Sequence, residues 1–291
     1  MHQYQVVTDR IIAMLEAGTR PWHQPWAAAP GQGRPRRVDG TPYRGINTVN
    51  LWSAAMARGF TSSTWMTFKA AKDMGANVRK GAKSESAFFV GTFTKEQERD
   101  GNTEEVSICF LKAYCVFNAD EIDGLPSRYY RRAEVNALPE AARVAAAETF
   151  VQATGASVAH GGARAYYRPS SDAIQMPDYA SFSTAEGYYG TLLHELVHWS
   201  GAKARLDRTF GARFGDENYS AEELVAELGA AFLCCDLGVT SEAREDHAAY
   251  LASWIKAMKE DNRVIFRAAA AAEKAAGYLH GLQAPAIAEA A

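Results

Sequence analysis

TLLHELVHWSG, at residues 191–201, contains the pattern H-E-x-x-H within a stretch whose apolar residues favour a helix. Positions i and i+4 lie on one helix face, so His194 and His198 can direct imidazole nitrogens at the same ion. Zn²⁺ accepts such nitrogens at about 2.0–2.1 Å. Glu195 is rotated by about 100° from His194. The pattern therefore predicts that Glu195 reaches the water on the metal, which is the position of the base in zinc peptidases.

A third metal ligand is expected on a second helix, because a catalytic zinc site usually has three protein ligands and a water. Residues 220–228 read SAEELVAEL, in which Glu223 and Glu227 share one helix face and Glu222 is turned away. The pattern E-x-x-A-E resembles E-x-x-A-D of the gluzincin peptidases. This resemblance implies that Glu223 is the ligand and that Glu227 orients a ligating histidine. The residues alone also allow Glu227 as the ligand, or an exposed acidic face without a metal.

The length and composition limit the class of protein. The chain has 291 residues, 47% of them hydrophobic, which allows one large globular domain or two ordinary ones. The sequence contains no run of about 18 apolar residues, and residues 1–18 lack the apolar stretch and cleavage site of a signal peptide. These features predict a cytoplasmic protein with no membrane partner. The four cysteines lack C-x-x-C spacing, and we expect reduced, buried thiols.

The charge is divided unevenly along the chain. Residues 1–95 hold thirteen Lys and Arg against five Asp and Glu, a net charge of +8, whereas residues 96–291 carry −11. Such a division suggests that the first part meets a polyanion. Aromatic residues are interleaved with the cations there, which is typical of single-stranded nucleic-acid binding, because cations hold phosphates and rings stack on bases. The same pattern also fits core tryptophans beneath a solvated basic face.

Helices and strands are predicted in both parts of the chain. Helical patterns and stop signals predict helices at 4–17, 47–58, 67–74, 140–153, 188–199, 221–237, 242–259 and 262–280. Strands are predicted at 86–93, 106–117 and 163–168, the first two joined as a hairpin by a long charged connection. Pro126 and Pro139 bracket the expected domain boundary. The fold class is therefore α+β, with an N-terminal α+β nucleic-acid-binding domain followed by a mainly helical domain with a small sheet.

Several long motifs extend this pattern over nearly the whole chain. They are LEAGTRPWHQPW (15–26), PYRGIN (42–47), WMTFKAAKDMGANVRKGAKS (65–84), AYYRPSSDAIQMP (165–177), YYGTLLHELVHWSG (188–201), RLDR (205–208) and YSAEELVAELGAAFL (219–233). With these motifs in this order, from about residue 4 to residue 280, the chain resembles the ArdC-type antirestriction proteins of mobile elements.

The resemblance implies a single-stranded-DNA-binding domain over residues 1–130 and a zincin-like metallopeptidase domain over residues 135–291. It implies protection of incoming DNA from host restriction, as during plasmid conjugation, with single-stranded DNA and host restriction-system proteins as candidate partners. The expected cofactor is one Zn²⁺, and Mn²⁺ or another divalent ion also suits two histidines and a glutamate. The motif-matched candidates for DNA contact are Trp22, Trp26, Tyr43, Arg44, Asn47, Lys69, Arg79 and Lys80.

Three functions stay open at this point, because the motifs imply no peptide substrate. An active metallopeptidase, directed by its DNA-binding domain, needs Glu195 as a base. A DNA-binding protector with a structural or vestigial metal site has less need of one. A repressor-cleaving peptidase of the ImmA type shares H-E-x-x-H and a later glutamate helix, but it does not account for the basic, aromatic N-terminal part.

Overall fold

The computed structural model describes residues 2–22, 33–99, 102–130, 140–209, 217–239 and 248–283. The three predicted helices of the N-terminal part lie within a few residues of their predicted positions, and a short fourth helix was not predicted. In chain order, this part contains α1 (His2–Glu16), α2 (Ile46–Arg58), β1 (Trp65–Met66), α3 (Phe68–Asp73), β2 (Asn77–Val78), β3 (Glu85–Arg99), β4 (Asn102–Asn118), a 3₁₀ turn (Ala119–Glu121), β5 (Ile122–Asp123) and α4 (Ser127–Tyr130).

β3 and β4 form a long antiparallel hairpin. Their pairing runs from Glu85 opposite Val116 to Arg99 opposite Asn102, so residues 100 and 101 alone connect the two strands. The prediction of a long charged connection was therefore wrong, because the charged residues continue both strands. Asp-Gly is by itself a strong signal for a two-residue hairpin loop. β4 also pairs with β1, which gives the order β1-β4-β3, and β2 pairs with β5.

The second part is mainly helical, as predicted. It contains α5 (Glu140–Ala153), β6 (Ser157–His160), β7 (Tyr166–Arg168), β8 (Ala173–Met176), a 3₁₀ turn (Tyr179–Ser181), α6 (Ala185–Ser200), α7 (Glu217–Leu237), α8 (Ala248–Glu260) and α9 (Val264–Gly281). A small sheet has the order β6-β8-β7, in which β6 runs parallel to β8 and β7 runs antiparallel to it. β6 and β8 were not predicted, since four residues are too few for a clear alternating pattern.

The two parts share one hydrophobic core. α1 packs against α8 and α2 packs against α9. Trp22 is 1% exposed, and its ring centroid lies 6.2 Å from that of Trp254. Phe88 on β3 meets Phe266 on α9, with ring centroids 5.3 Å apart. The α+β class is confirmed, and the division of charge therefore does not correspond to two separate cores. The predicted boundary between residues 130 and 135 lies outside the described residues.

Two predictions made from composition can be compared with the described residues. Cys234 is buried as predicted, but Cys115 is exposed, so the expectation that every cysteine is buried was wrong. Successive side chains of a strand point to opposite faces, and on β4 the neighbouring Val116 takes the buried face. Among the described helices, none combines the length and apolar character that a membrane span requires.

Candidate metal centre

α6 carries both histidines of the H-E-x-x-H pattern inside the protein. Its first turn is capped by Thr184, whose hydroxyl accepts a hydrogen bond of 3.0 Å from the backbone N–H of Gly187. Its end is marked by Gly201, whose N–H donates to the carbonyl of His198 at 2.8 Å. Residues 191–200 are all buried. The helix therefore holds the two imidazoles in one orientation, away from bulk water.

The predicted ligands converge on one point. The Nε2 atoms of His194 and His198 are 3.1 Å apart. The carboxylate of Glu223 reaches both, with Oε2 3.5 Å from Nε2 of His194 and Oε1 3.5 Å from Nε2 of His198. Ligand atoms at 2.0–2.1 Å from a tetrahedral ion lie about 3.3 Å from one another. The three side chains are therefore close enough to share one zinc-sized ion.

The alternative ligand, Glu227, lies farther from the histidine nitrogens that converge. Its Oε2 is 3.9 Å from Nδ1 of His194, which is the nitrogen on the other side of the ring. Within the part of the chain that the structure describes, His194, His198 and Glu223 are the cluster of His, Cys, Asp and Glu close enough to share an ion. The geometry thus favours Glu223 as the ligand and puts Glu227 behind His194.

Carboxylates surround His198 and determine its protonation. Burial alone lowers the pKa of an imidazole, but the hydrogen bonds with Glu222 and Glu223 outweigh that effect and raise the pKa of His198 to about 10. Burial raises the pKa of Glu223, but its contacts with the two histidines hold that pKa well below the usual range. His198 is thus surrounded by the carboxylates of Glu195, Glu222 and Glu223.

Glu222 belongs to the candidate centre, although its position in the sequence did not indicate this. We expected it to face away from the centre, but it is 6% exposed, and Nδ1 of His198 lies 3.2 Å from its Oε1. Arg208 holds the same carboxylate with two nitrogens, Nη2 at 2.8 Å from Oε1 and Nε at 3.0 Å from Oε2. Glu222 thus orients His198 from behind, and Arg208 fixes Glu222.

A sequence signal for Glu222 was available. Residues 224–234 of α7 are apolar or small at every position except Glu227, so the helix has no side that faces water. In such a helix, two adjacent glutamates both point into the protein. Glu195 is also buried, at 3% exposure, and its charge helps to raise the pKa of His198.

Three of the predicted DNA-contact residues lie in the interior, and this corrects their assignment. Trp22 packs in the core described above, and Tyr43 is 2% exposed with its hydroxyl 3.4 Å from the carbonyl of Trp65. Asn47 joins α2 to β3, because its amide donates to the carbonyl of Phe88 at 2.8 Å and accepts from the N–H of Phe88 at 2.7 Å. Residue type predicted contacts with DNA, but in the structure all three side chains make contacts inside the protein.

The remaining candidates are exposed where the structure describes them. Arg44, Lys69 and Arg79 have side chains that are 76%, 83% and 55% exposed. Lys80 is also exposed, and Trp26 lies outside the described residues. Phe68, which we did not include, is 52% exposed on α3, and the ammonium of Lys72 lies 5.9 Å from its ring centroid. A phenylalanine directly before Lys69 and four residues before Lys72 was the available signal.

Two protein families match this chain at different positions. The family described as the N-terminal domain of anti-restriction factor ArdC matches residues 1–117. The family described as a zincin-like metallopeptidase matches residues 145–271, which include all three candidate ligands.

Two relatives match over nearly the whole of this chain. An uncharacterised protein, y4eC, of Sinorhizobium fredii (strain NBRC 101917 / NGR234) is 41% identical over 290 residues, covering 96% of this chain and 92% of that protein. DNA primase TraC of Escherichia coli is 40% identical over 290 residues, which cover 93% of this chain but 26% of TraC.

Two crystal structures of antirestriction protein ArdC from plasmid R388 have similar folds. The metal-free structure has a TM-score of 0.79 and 44% identity, and the Mn(II)-bound structure has a TM-score of 0.80 and 43% identity. Both alignments cover 97% of this chain and 98% of the other.

Proposed function

This chain belongs to the ArdC antirestriction family, and we propose that it protects the incoming DNA of a mobile element from host restriction while its N-terminal part binds single-stranded DNA. The observation that carries the proposal is the convergence of His194, His198 and Glu223 in a chain whose first part matches the ArdC N-terminal domain. The similarity to part of a DNA primase further supports the proposal that this chain binds DNA.

The centre on α6 and α7 is proposed to bind one divalent ion. Two imidazoles and one carboxylate suit Zn²⁺, and the Mn(II)-bound ArdC structure supports Mn²⁺ as a second candidate. In an active peptidase, the bound ion would supply a Lewis acid that activates water for attack on a peptide carbonyl. Glu195 would then be the base that accepts the proton of that water. Glu222 holds Nδ1 of His198 at 3.2 Å, and the carboxylate of Glu227 lies 3.9 Å from Nδ1 of His194.

The DNA surface is proposed to lie on α3 and on the loop after β2. A small core that includes Ala71 and Ile122 joins α3 to the β2–β5 pair, so the two elements form one unit. Lys69, Arg79 and Lys80 supply cations for phosphates, and the exposed face of Phe68 can stack on an unpaired base. Arg44 is a further exposed cation of the same part of the chain.

A restriction-protection assay with full-length variants tests the proposal. Wild type should increase the survival of plasmid DNA entering a restricting host, and exchange of Arg79 and Lys80 for Gln should reduce that survival. Absence of protection by wild type against every restriction system tried would contradict the antirestriction role.

The same assay separates an active peptidase from a structural metal site. In the first case, Glu195→Gln loses protection and any peptidase activity but keeps its metal and its affinity for DNA. In the second case, Glu195→Gln protects as well as wild type, while His194→Ala does not. Glu260→Gln is the matched control, since Glu260 is exposed on α8, with its carboxylate 3.9 Å from the Lys256 ammonium, and should behave as wild type in both cases.

A further inference from the structure

Glu227 connects the metal centre to the N-terminal part of the chain. It lies one helical turn after Glu223 on α7. Its Oε1 accepts hydrogen bonds from Nη1 of Arg20, at 3.1 Å, and from Nε1 of Trp22, at 3.3 Å. Its Oε2 faces Nδ1 of His194 at 3.9 Å. One oxygen of the carboxylate is thus held by the residues that follow α1, and the other is directed at a metal ligand.

The burial of these side chains shows how firmly the carboxylate is held. Glu227 is 7% exposed. A carboxylate withdrawn from water needs hydrogen bonds or an opposite charge, or it loses several kcal/mol of solvation. Trp22 supplies a neutral donor and Arg20 a charged one. Both donors come from outside the zincin-like segment of the chain, which matches residues 145–271.

Trp22 is a rigid donor because the core fixes its ring. It is 1% exposed and packs edge-on against Trp254 of α8, so Nε1 cannot turn away from Glu227 without opening the core. Arg20 is more accessible, with a side chain that is 17% exposed. The two donors therefore contribute different things: the indole fixes the position of Oε1, and the guanidinium compensates the charge.

We infer that Arg20 and Trp22 are positioning residues of the metal centre, acting through Glu227 on His194. The inference rests on the metal site proposed above. It means that the centre is completed by the N-terminal part of the chain, and that a change at Arg20 or Trp22 reaches the ligand His194 through a hydrogen bond to Glu227 and then through the 3.9 Å carboxylate–imidazole contact. Groups behind metal-ligating histidines typically change metal affinity by 10–100-fold when they are removed.

The test is Mn²⁺ binding by the full-length protein, measured as the free Mn²⁺ signal in electron paramagnetic resonance. Trp22→Phe removes the indole donor without a change of charge, and the dissociation constant should rise about tenfold. Trp52→Phe is the matched control. Trp52 is 2% exposed in the same core, but its Nε1 donates to the carbonyl of Gly33 at 3.4 Å. Trp52→Phe should lower the melting temperature about as much as Trp22→Phe does, but it should leave the dissociation constant for Mn²⁺ unchanged.

A double variant shows whether the effect passes through Glu227. In a Glu227→Ala background, Trp22→Phe should cause no further loss of Mn²⁺ affinity. A further tenfold loss there, or an equal loss in Trp52→Phe, would overturn the inference. If Trp22→Phe does not fold, Arg20→Lys decides, because it keeps the charge but shortens the reach to Glu227, and an unchanged affinity would again overturn the inference. Absence of Mn²⁺ binding by wild type would instead contradict the proposed metal site.

Discussion

The candidate metal centre and the proposed DNA surface, on α3 and the loop after β2, have side chains in opposite environments. His194 and His198 are 3% and 8% exposed, and acids and an arginine hold them from several sides. Lys69, on the proposed DNA surface, is 83% exposed and pairs only with Asp73 one turn along α3 among the contacts described. Buried side chains depend on one another, whereas exposed side chains act almost independently. A single change should therefore have a large effect at the centre and a small one on the surface.

Removal of both histidines should have the largest effect. We expect that His194→Ala/His198→Ala reduces bound metal from one ion per chain to less than about a tenth, because one carboxylate cannot hold a divalent ion against water. Metal analysis after dialysis, or anomalous scattering at the zinc edge, measures this. His160→Ala is the control: His160 is exposed and contacts the hydroxyl of Tyr188 at 2.8 Å, and its loss should leave metal content unchanged. Stoichiometric metal in the double variant would show that the ligands lie elsewhere.

Loss of Glu222 should weaken the centre without abolishing it. Glu222→Ala frees His198 to rotate and leaves Arg208 without its carboxylate, so we expect a 10–100-fold loss of metal affinity. Isothermal titration with Zn²⁺ or Mn²⁺ measures the change. Glu85→Ala is a matched control, since Glu85 is similarly buried, at 7% exposure, and among the described contacts it pairs with Arg10 and Arg58 rather than with a candidate ligand. Equal losses in both variants would mean that general stability, rather than orientation of His198, determines affinity.

The close contact between α6 and α7 predicts a smaller effect, on stability. A Cβ at Gly229 would lie 2.7 Å from Cγ2 of Val197, which sits next to His198. Gly229→Ala should therefore lower the free energy of unfolding by about 1–3 kcal/mol. Gly190→Ala, on α6 with no heavy atom within 4 Å of the added Cβ, should raise it by up to about 1 kcal/mol. Urea unfolding measures both, and a change of the same sign in the two variants would contradict this account of the helix contact.

The sequence predicted the centre well because helix geometry determines it. A spacing of four residues brings His194 and His198 together in any α-helix, whatever surrounds it. The same periodicity located the principal helices of both parts. Spacing within one helix does not show which side chain of another helix contacts Nδ1 of a histidine. Glu222 was therefore expected to point away from the centre, but it contacts His198.

Residue type predicted the DNA surface less well. A tryptophan beside an arginine serves equally well in a stacking platform and in a core, and Trp22 proved to be in the core. Deciding between the two requires contacts between distant parts of the chain, such as Trp22 with Trp254. The charge division of the sequence likewise gave no sign that one hydrophobic core joins both parts.

The basic surface should show the smallest effects of single changes. We expect Phe68→Ala to weaken binding of a labelled single-stranded oligonucleotide by about 1 kcal/mol, the lower end of the range for one stacked base. Its salt dependence should not change, since no charge is lost. Phe89→Ala is the control, because Phe89 is also 52% exposed but lies on β3. Fluorescence anisotropy across a salt series measures affinity and slope together.

Arg79→Gln/Lys80→Gln should give the complementary result in the same assay. Each phosphate contact contributes about −0.7 to the slope of log affinity against log salt for single strands, so two lost contacts should flatten the slope by roughly 1.4. The slope should change less if Arg79 remains paired with Asp123, because the carboxylate of Asp123 lies 2.7 Å from Nε of Arg79.

The control for Phe68→Ala can also contradict the proposed stacking surface. A larger loss of affinity in Phe89→Ala than in Phe68→Ala would place that surface on the β3–β4 hairpin. Equal affinity for duplex and single strands would remove stacking from the account and leave electrostatic attraction alone, because a duplex hides the base faces on which Phe68 would stack.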